Sequence, residues 1–244
     1  MLDGIMRCSR YSFGPNRLHY CGPDSNRELR ELMEEEGNNF EIANILKQFK
    51  TLFPYLNHIA HSNGIADPFD SKVVEAYWLG NDLLEAAEHK TLFDFLVSSM
   101  HIKDKISGKK FSWLEEKIKQ GAAPHHSFHV LNVWQQEGHG DSLEDIERMW
   151  ECLITSGKVV EVKGPEISVE TEPLVFWGTK FALGEPVIKK IYRQLECEYD
   201  IEQIKPGQIV SIHWSVPCEI ITPIQAINLR KYTLQNIAFA NLNI

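Results

Sequence analysis

No run of about 20 apolar residues occurs in this sequence, so no segment reads as a membrane-spanning helix. Its start, Met1-Leu2-Asp3-Gly4-Ile5-Met6-Arg7, lacks the charged-then-apolar layout of a secretory signal, and a cytoplasmic location is the expectation. There is no Cys-x-x-Cys pair, which argues against a zinc ribbon and a thioredoxin-like site. Five cysteines without paired spacing in 244 residues do not make a disulfide framework. Positive charge is scarce: 25 Lys and Arg stand against 34 Asp and Glu, net -9, with no basic stripe. Nucleic acid is therefore not an expected partner, because phosphate contacts demand clustered cations. A phosphate-binding Gly-rich loop, a dinucleotide fingerprint, a nucleophile elbow and a zincin motif are also lacking. Nothing supports kinase, dehydrogenase or hydrolase chemistry.

What is present divides the chain. Residues 1–148 carry helical periodicity and are expected to form an all-α domain. Ser12-Phe13-Gly14-Pro15-Asn16 and Cys21-Gly22-Pro23-Asp24-Ser25 read as structured loop, since Gly-Pro pairs punctuate the chain. A helix capped by Asp24 or Ser25 ends at Gly37, and another with a wide apolar face runs from Phe40 to Phe53 and stops at Pro54. Asp67-Pro68-Phe69-Asp70-Ser71 starts a further helix through Val73, Val74, Tyr77 and Trp78. Leu92–Met100 and Ser112–Lys119 read as shorter helices, the second with Ser112 as cap and Glu115 at capping-box spacing. Asp141-Ser142 opens an amphipathic helix that runs into Cys152.

After Gly157 the period shortens. Lys158–Lys163, Ile167–Thr171, Leu174–Trp177, Phe181–Leu183, Val187–Tyr192 and Ile209–Trp214 read as strands separated by Gly and Pro turns. Such a series predicts a small, partly closed β-barrel over 149–244. Thr222-Pro223-Ile224-Gln225 caps a last helix running to near Leu242, expected to pack through Ile227, Leu234 and Ile237. The expected class is α+β.

Three groups of residues carry possible chemistry. Pro124-His125-His126-Ser127-Phe128-His129 is rich in imidazole, and on a helix His125 and His129 share a face, as a metal pair would. His126, His19 and Cys21 are further candidates, whereas His58 and His61 read as structural or surface residues. A metal-dependent enzyme built on this helical half is one reading. Cys152, at the change from helical to strand period, and His213 downstream form the second group. Cys218 and Glu219 follow His213 closely and form the third.

Cys152-Leu153-Ile154-Thr155-Ser156-Gly157-Lys158-Val159-Val160 resembles the Met-Cys-Leu-Ala-Ile-Pro-Gly-Lys-Val signature of the HypC/HupF family of [NiFe]-hydrogenase maturation chaperones. Gly207-Gln208-Ile209-Val210-Ser211-Ile212-His213-Trp214-Ser215 is similar to that family's second motif. The resemblance covers about the last 95 residues and implies a small barrel with a C-terminal helix. It also implies transient iron handling through Cys152 and His213, with hydrogenase assembly proteins as partners met through Cys152, Gly157, Lys158 and His213. Departures exist: Cys152 is internal, Ile154, Thr155 and Ser156 replace the signature's Ala, Ile and Pro, and Gln208 stands where Asp is usual. The whole chain also resembles an uncharacterised prokaryotic family. A non-catalytic interaction module is the third reading.

Overall fold

A computed structural model of the chain describes residues 3–35, 38–85, 89–99, 101–134, 142–194 and 203–243. Helix α1 (Gly4–Arg17) opens the fold, with the Asp3 carboxylate accepting from the Met6 amide at its N-terminus. It is almost wholly buried and lies at the centre of the molecule. The loop expected at Ser12–Asn16 is thus helix, and the Gly-Pro pair sits inside it. Gly14 is there for proximity: a Cβ on it would stand 2.7 Å from the His213 carbonyl oxygen.

Helices α2 (Asn26–Glu34), α3 (Asn39–Leu46) and α5 (Ser71–Trp78) pack on α1, and α4 (Leu52–Ser62) packs on α5. The single helix expected from Phe40 to Pro54 is divided. Pro54 falls in the first turn of α4, where its missing N–H has no helical acceptor to lose, so it begins a helix instead of ending one. The expected end of α2 at Gly37 lies outside the described residues. Asp70 caps α5 as its motif implies, accepting from the Lys72 amide. α6 (His89–Ser98), α7 (Ile102–Lys105) and α8 (Gly108–Lys119) follow. The expected end at Met100 is outside the described residues. α8 starts a turn earlier than expected, because Ser107 is its cap; Ser112 lies inside the helix and donates to the Gly108 carbonyl.

A short turn, α9 (His126–Phe128), passes into a π-helical turn at His129–Val133, and α10 (Leu143–Cys152) is capped by Ser142. The strands are β1 (Thr155–Lys163), β2 (Glu166–Thr171), β3 (Leu174–Trp177), β4 (Lys180–Leu183), β5 (Val187–Tyr192), β6 (Ile209–His213) and β7 (Val216–Ile221). The expected series is present, with β7 in addition. β5-β2-β1-β6-β7 form one antiparallel sheet and β3-β4 a separate hairpin.

The sheet does not close into a barrel. Its edges β5 and β7 approach at one end, where the Tyr192 amide donates to the Ser215 carbonyl at 2.9 Å, but no ladder joins them among the described residues. Val159, Ile167, Val169, Ile191, Val210 and Ile212 fill the concave side. The fold is α+β, with helices leading, an open curled sheet and a closing helix, α11 (Pro223–Ala240).

α11 carries the expected capping box: Thr222 Oγ1 accepts from the Gln225 amide, and the Gln225 side chain accepts from the Thr222 amide. Its packing follows expectation at Ile237 and departs from it at the other two positions. Ile227 is exposed and Leu234 partly so; Leu229, Tyr232, Asn236 and Ile237 form the inward face. The expected boundary at 148/149 falls inside α10, and the largest core draws on both sides of it, joining Tyr11, Leu56 and Trp78 to Ile154, Cys218 and Leu229.

Candidate metal centre

Three side chains from distant parts of the chain meet at the junction of helices and sheet. His126 opens α9, Cys152 ends α10 and His213 ends β6. Their ligand atoms all lie within 4.8 Å of one another. The rings of His126 and His213 stand 5.3 Å apart, edge to face, and Trp78 packs against both at 4.7 and 5.6 Å.

The position of His213 originates in α1. An α-helix leaves a carbonyl free four residues before any proline, since proline has no N–H to donate. Pro15 therefore frees the Tyr11 carbonyl, and His213 Nδ1 donates to that oxygen at 2.6 Å. A carbonyl can only accept, so Nδ1 carries the proton and Nε2 holds a lone pair. His213 Nε2 is buried and has no hydrogen-bond partner. An imidazole fixed through one nitrogen to a backbone carbonyl, with the other bare, is the usual arrangement of a metal-ligating histidine.

The turn after His213 is strained. Trp214 and Ser215 both adopt positive φ, 52° and 57°, as in a two-residue hairpin turn that favours Asn and Gly. Their partners hold them there: the Trp214 amide donates to the Glu151 carbonyl at 2.9 Å, Ser215 Oγ donates to the Glu151 carboxylate, and the Trp214 ring stacks on Tyr20 at 4.4 Å. Glu151 precedes Cys152, so one set of contacts fixes the end of β6 against the end of α10. The β6–β7 ladder also shifts register after Ser211, where Cys218 is an extra residue on β7 that bends this strand beside the end of β6.

His126 is held at both nitrogens. Nε2 lies 2.9 Å from the Cys152 carbonyl, which can only accept, so Nε2 carries the proton and Nδ1 accepts from the Tyr77 hydroxyl at 3.1 Å. Burial keeps all three groups neutral. It pushes the Cys152 thiol up to about 12, lowers His126 to about 4 and lowers His213 to about 3, the last helped by neighbouring His126. A neutral thiol and two neutral imidazoles fit a cation: the thiol would lose its proton on binding, His213 Nε2 has a bare lone pair to offer, and His126 Nδ1 would exchange its bond from the Tyr77 hydroxyl for the ion. Bonds of about 2.0–2.3 Å in a tetrahedron place donors roughly 3.3–3.8 Å apart, so atoms within 4.8 Å of one another need to approach by about 1.5 Å at most.

The cluster faces a cavity of about 220 Å³. Phe49, Tyr77, Trp78, Trp134 and Trp214 contribute aromatic walls, and Cys21 and His129 also reach it. His129 Nδ1 is buried without a partner, and burial with His126 nearby lowers its pKa to about 3. It starts the π-helical turn, a local irregularity often found at functional positions.

The other expected residues lie elsewhere. His125 and His129 do not form a pair: His125 is the extended cap of α9, its Nδ1 accepts from the Ser127 amide, and its ring stacks on Tyr232 of α11. The expected face required His125 inside the helix. His19 adopts positive φ just past α1, and its exposed ring meets Asp24 and Asn26. Gly157 is buried where a Cβ would press on Ile212 and Val169, so it serves packing, while Lys158 is exposed and lines a different cavity. Cys218 is a core residue, and Glu219 pairs with Arg7 and Tyr11. His58 is buried against Phe95. His126, one of several histidines in its run, is the one placed with Cys152 and His213. Tyr77 and Trp78 read only as helix core in the sequence, and nothing there signals their place in the wall.

The fold and site together define an α+β protein in which two buried histidines and a half-buried cysteine cluster against an aromatic cavity. The chain belongs to the family described as "Family of unknown function (DUF6390)", whose model matches residues 1–244. No curated protein and no solved structure matches it. The family match does not extend to HypC/HupF.

Replacing Pro15 with alanine tests how His213 is held. The restored N–H competes for the Tyr11 carbonyl, so the Nδ1–H tautomer of His213 is expected to lose population, read from imidazole nitrogen shifts in NMR. An unchanged tautomer would show that the freed carbonyl does not govern the ring.

Proposed function

We propose that this protein binds a divalent first-row transition metal through His126, Cys152 and His213, with an open coordination position toward the cavity. The observation that carries the reading is His213 Nε2, a buried lone pair without a partner beside the Cys152 sulfur and His126. Leaving such a group unsatisfied costs about 1–3 kcal/mol, which a metal bond would recover. One thiolate and two imidazoles suit zinc, iron or cobalt, and three protein ligands are the mark of catalytic or exchanging sites, not of closed structural ones.

Metal analysis of untagged protein purified anaerobically is expected to find about one equivalent per chain. Cys152→Ser should weaken cobalt binding by roughly a hundredfold, since a soft, strongly donating ligand is lost. Wild-type protein that neither carries nor takes up metal would refute the reading.

The second reading is handling of an iron centre during metalloenzyme maturation, as the HypC/HupF resemblance implies. What favours it is that Cys152 and His213, the two residues singled out by that resemblance, line one cavity. Anaerobic affinity capture should then recover hydrogenase assembly proteins with wild type and not with Cys152→Ala. Equal recovery with both, or none with either, would count against it.

A further inference from the structure

We infer that the cavity receives a small, flat organic monoanion, whose carboxylate or equivalent group completes the coordination of the metal. This rests on the metal-binding reading and adds the class of molecule bound.

Size is the first ground. A water molecule needs about 10–15 Å³ of such space, so about 220 Å³ exceeds what a metal ion and one water would fill. The second ground is wall chemistry. Phe49, Trp78, Trp134 and the stacked Tyr20–Trp214 pair line the cavity, and aromatic walls favour a planar apolar body.

Charge is the third. The cavity has two cationic side chains in its lining, Lys105 and Arg148, and no carboxylate among the described residues. Lys105 is exposed and Arg148 half-buried, so both reach the solvent side, and Arg148 lies over the Tyr20 ring at 6.0 Å. The ion pair of Arg148 with Glu144 involves a largely exposed carboxylate, a weak contact that a ligand anion can replace. A divalent ion bound by one thiolate leaves a net positive charge at the inner end, and a buried charge requires compensation. An anion entering past Lys105 and Arg148 meets favourable potential along its whole path.

The probe is benzoate, titrated into cobalt-loaded protein and followed through the visible absorption of the ion. Benzamide, of the same shape but neutral, is the control. Benzoate should change the cobalt spectrum saturably, while benzamide at tenfold higher concentration should not. The Arg148→Gln and Lys105→Gln variants should each slow benzoate entry about tenfold at low ionic strength while leaving cobalt uptake unchanged, in line with loss of electrostatic attraction along the path. A cobalt spectrum that ignores benzoate, or responds equally to benzamide, overturns this inference and leaves metal binding standing. Absence of any cobalt spectrum overturns both.

Discussion

Metal-free protein is expected to unfold as the pH is lowered from 7 to 5. His125, His126 and His213 are buried, His129 is half-buried with its Nδ1 enclosed, and desolvation holds the pKa values of all four at about 3 or 4. In the unfolded chain the same groups titrate near 6.5. Between these values the unfolded state binds more protons, so stability rises with pH and is lost as pH falls from 6.5 toward 4. At pH 5 each group favours unfolding by up to about 2 kcal/mol. The four together approach about 8 kcal/mol, comparable to the roughly 5–15 kcal/mol that holds a whole domain together. Urea midpoints measured at half-unit intervals should fall steeply below pH 6.5. A midpoint equal at pH 7 and pH 5 would mean that these rings are not buried and neutral.

Arg7→Met should cost about 3–5 kcal/mol, the range for removing one partner of a buried ion pair. The Arg7 guanidinium lies 3.1 Å from both Glu75 and Glu219, and Glu219 also accepts from the Tyr11 hydroxyl at 2.8 Å. Burial already pushes the Glu219 carboxyl upward, with Arg7 opposing it, so loss of the cation leaves a buried carboxylate without its counter-charge. Adding Glu219→Gln should restore part of the stability by removing that charge. Chemical denaturation of the two variants measures both effects, and a loss below about 1 kcal/mol for the single change would contradict the buried pairing. The same contacts dock α1 against β7, so the variant should also loosen the hold of Tyr11 on His213.

Most strands and the final helix were legible because their signals are local: alternation, Gly and Pro punctuation, and a capping box within four residues. Two failures share one physical cause. Gly14-Pro15 reads as a turn because proline removes a helical hydrogen bond, yet α1 continues, and the freed carbonyl finds its partner in His213. β7 escaped because Pro217 interrupts its run and the extra residue Cys218 breaks alternation, both tolerable on an edge strand. In each place a long-range contact outweighs a local preference. The site was half legible. Cys152 and His213 stood out by motif, but choosing His126 over His125 and His129 depended on where α9 starts, and no spacing rule fixes that.

Pro15, His126, Cys152 and His213 also impose an order of events on synthesis. The helices that roof the cavity leave the ribosome first, and the residue that completes the donor set emerges with the hairpin near the end of the chain. His213 joins His126 and Cys152 only once β6 and β7 have docked on α1. The donor set proposed for a metal is thus complete only in the finished fold, and an ion would have to reach it through the aromatic-lined cavity.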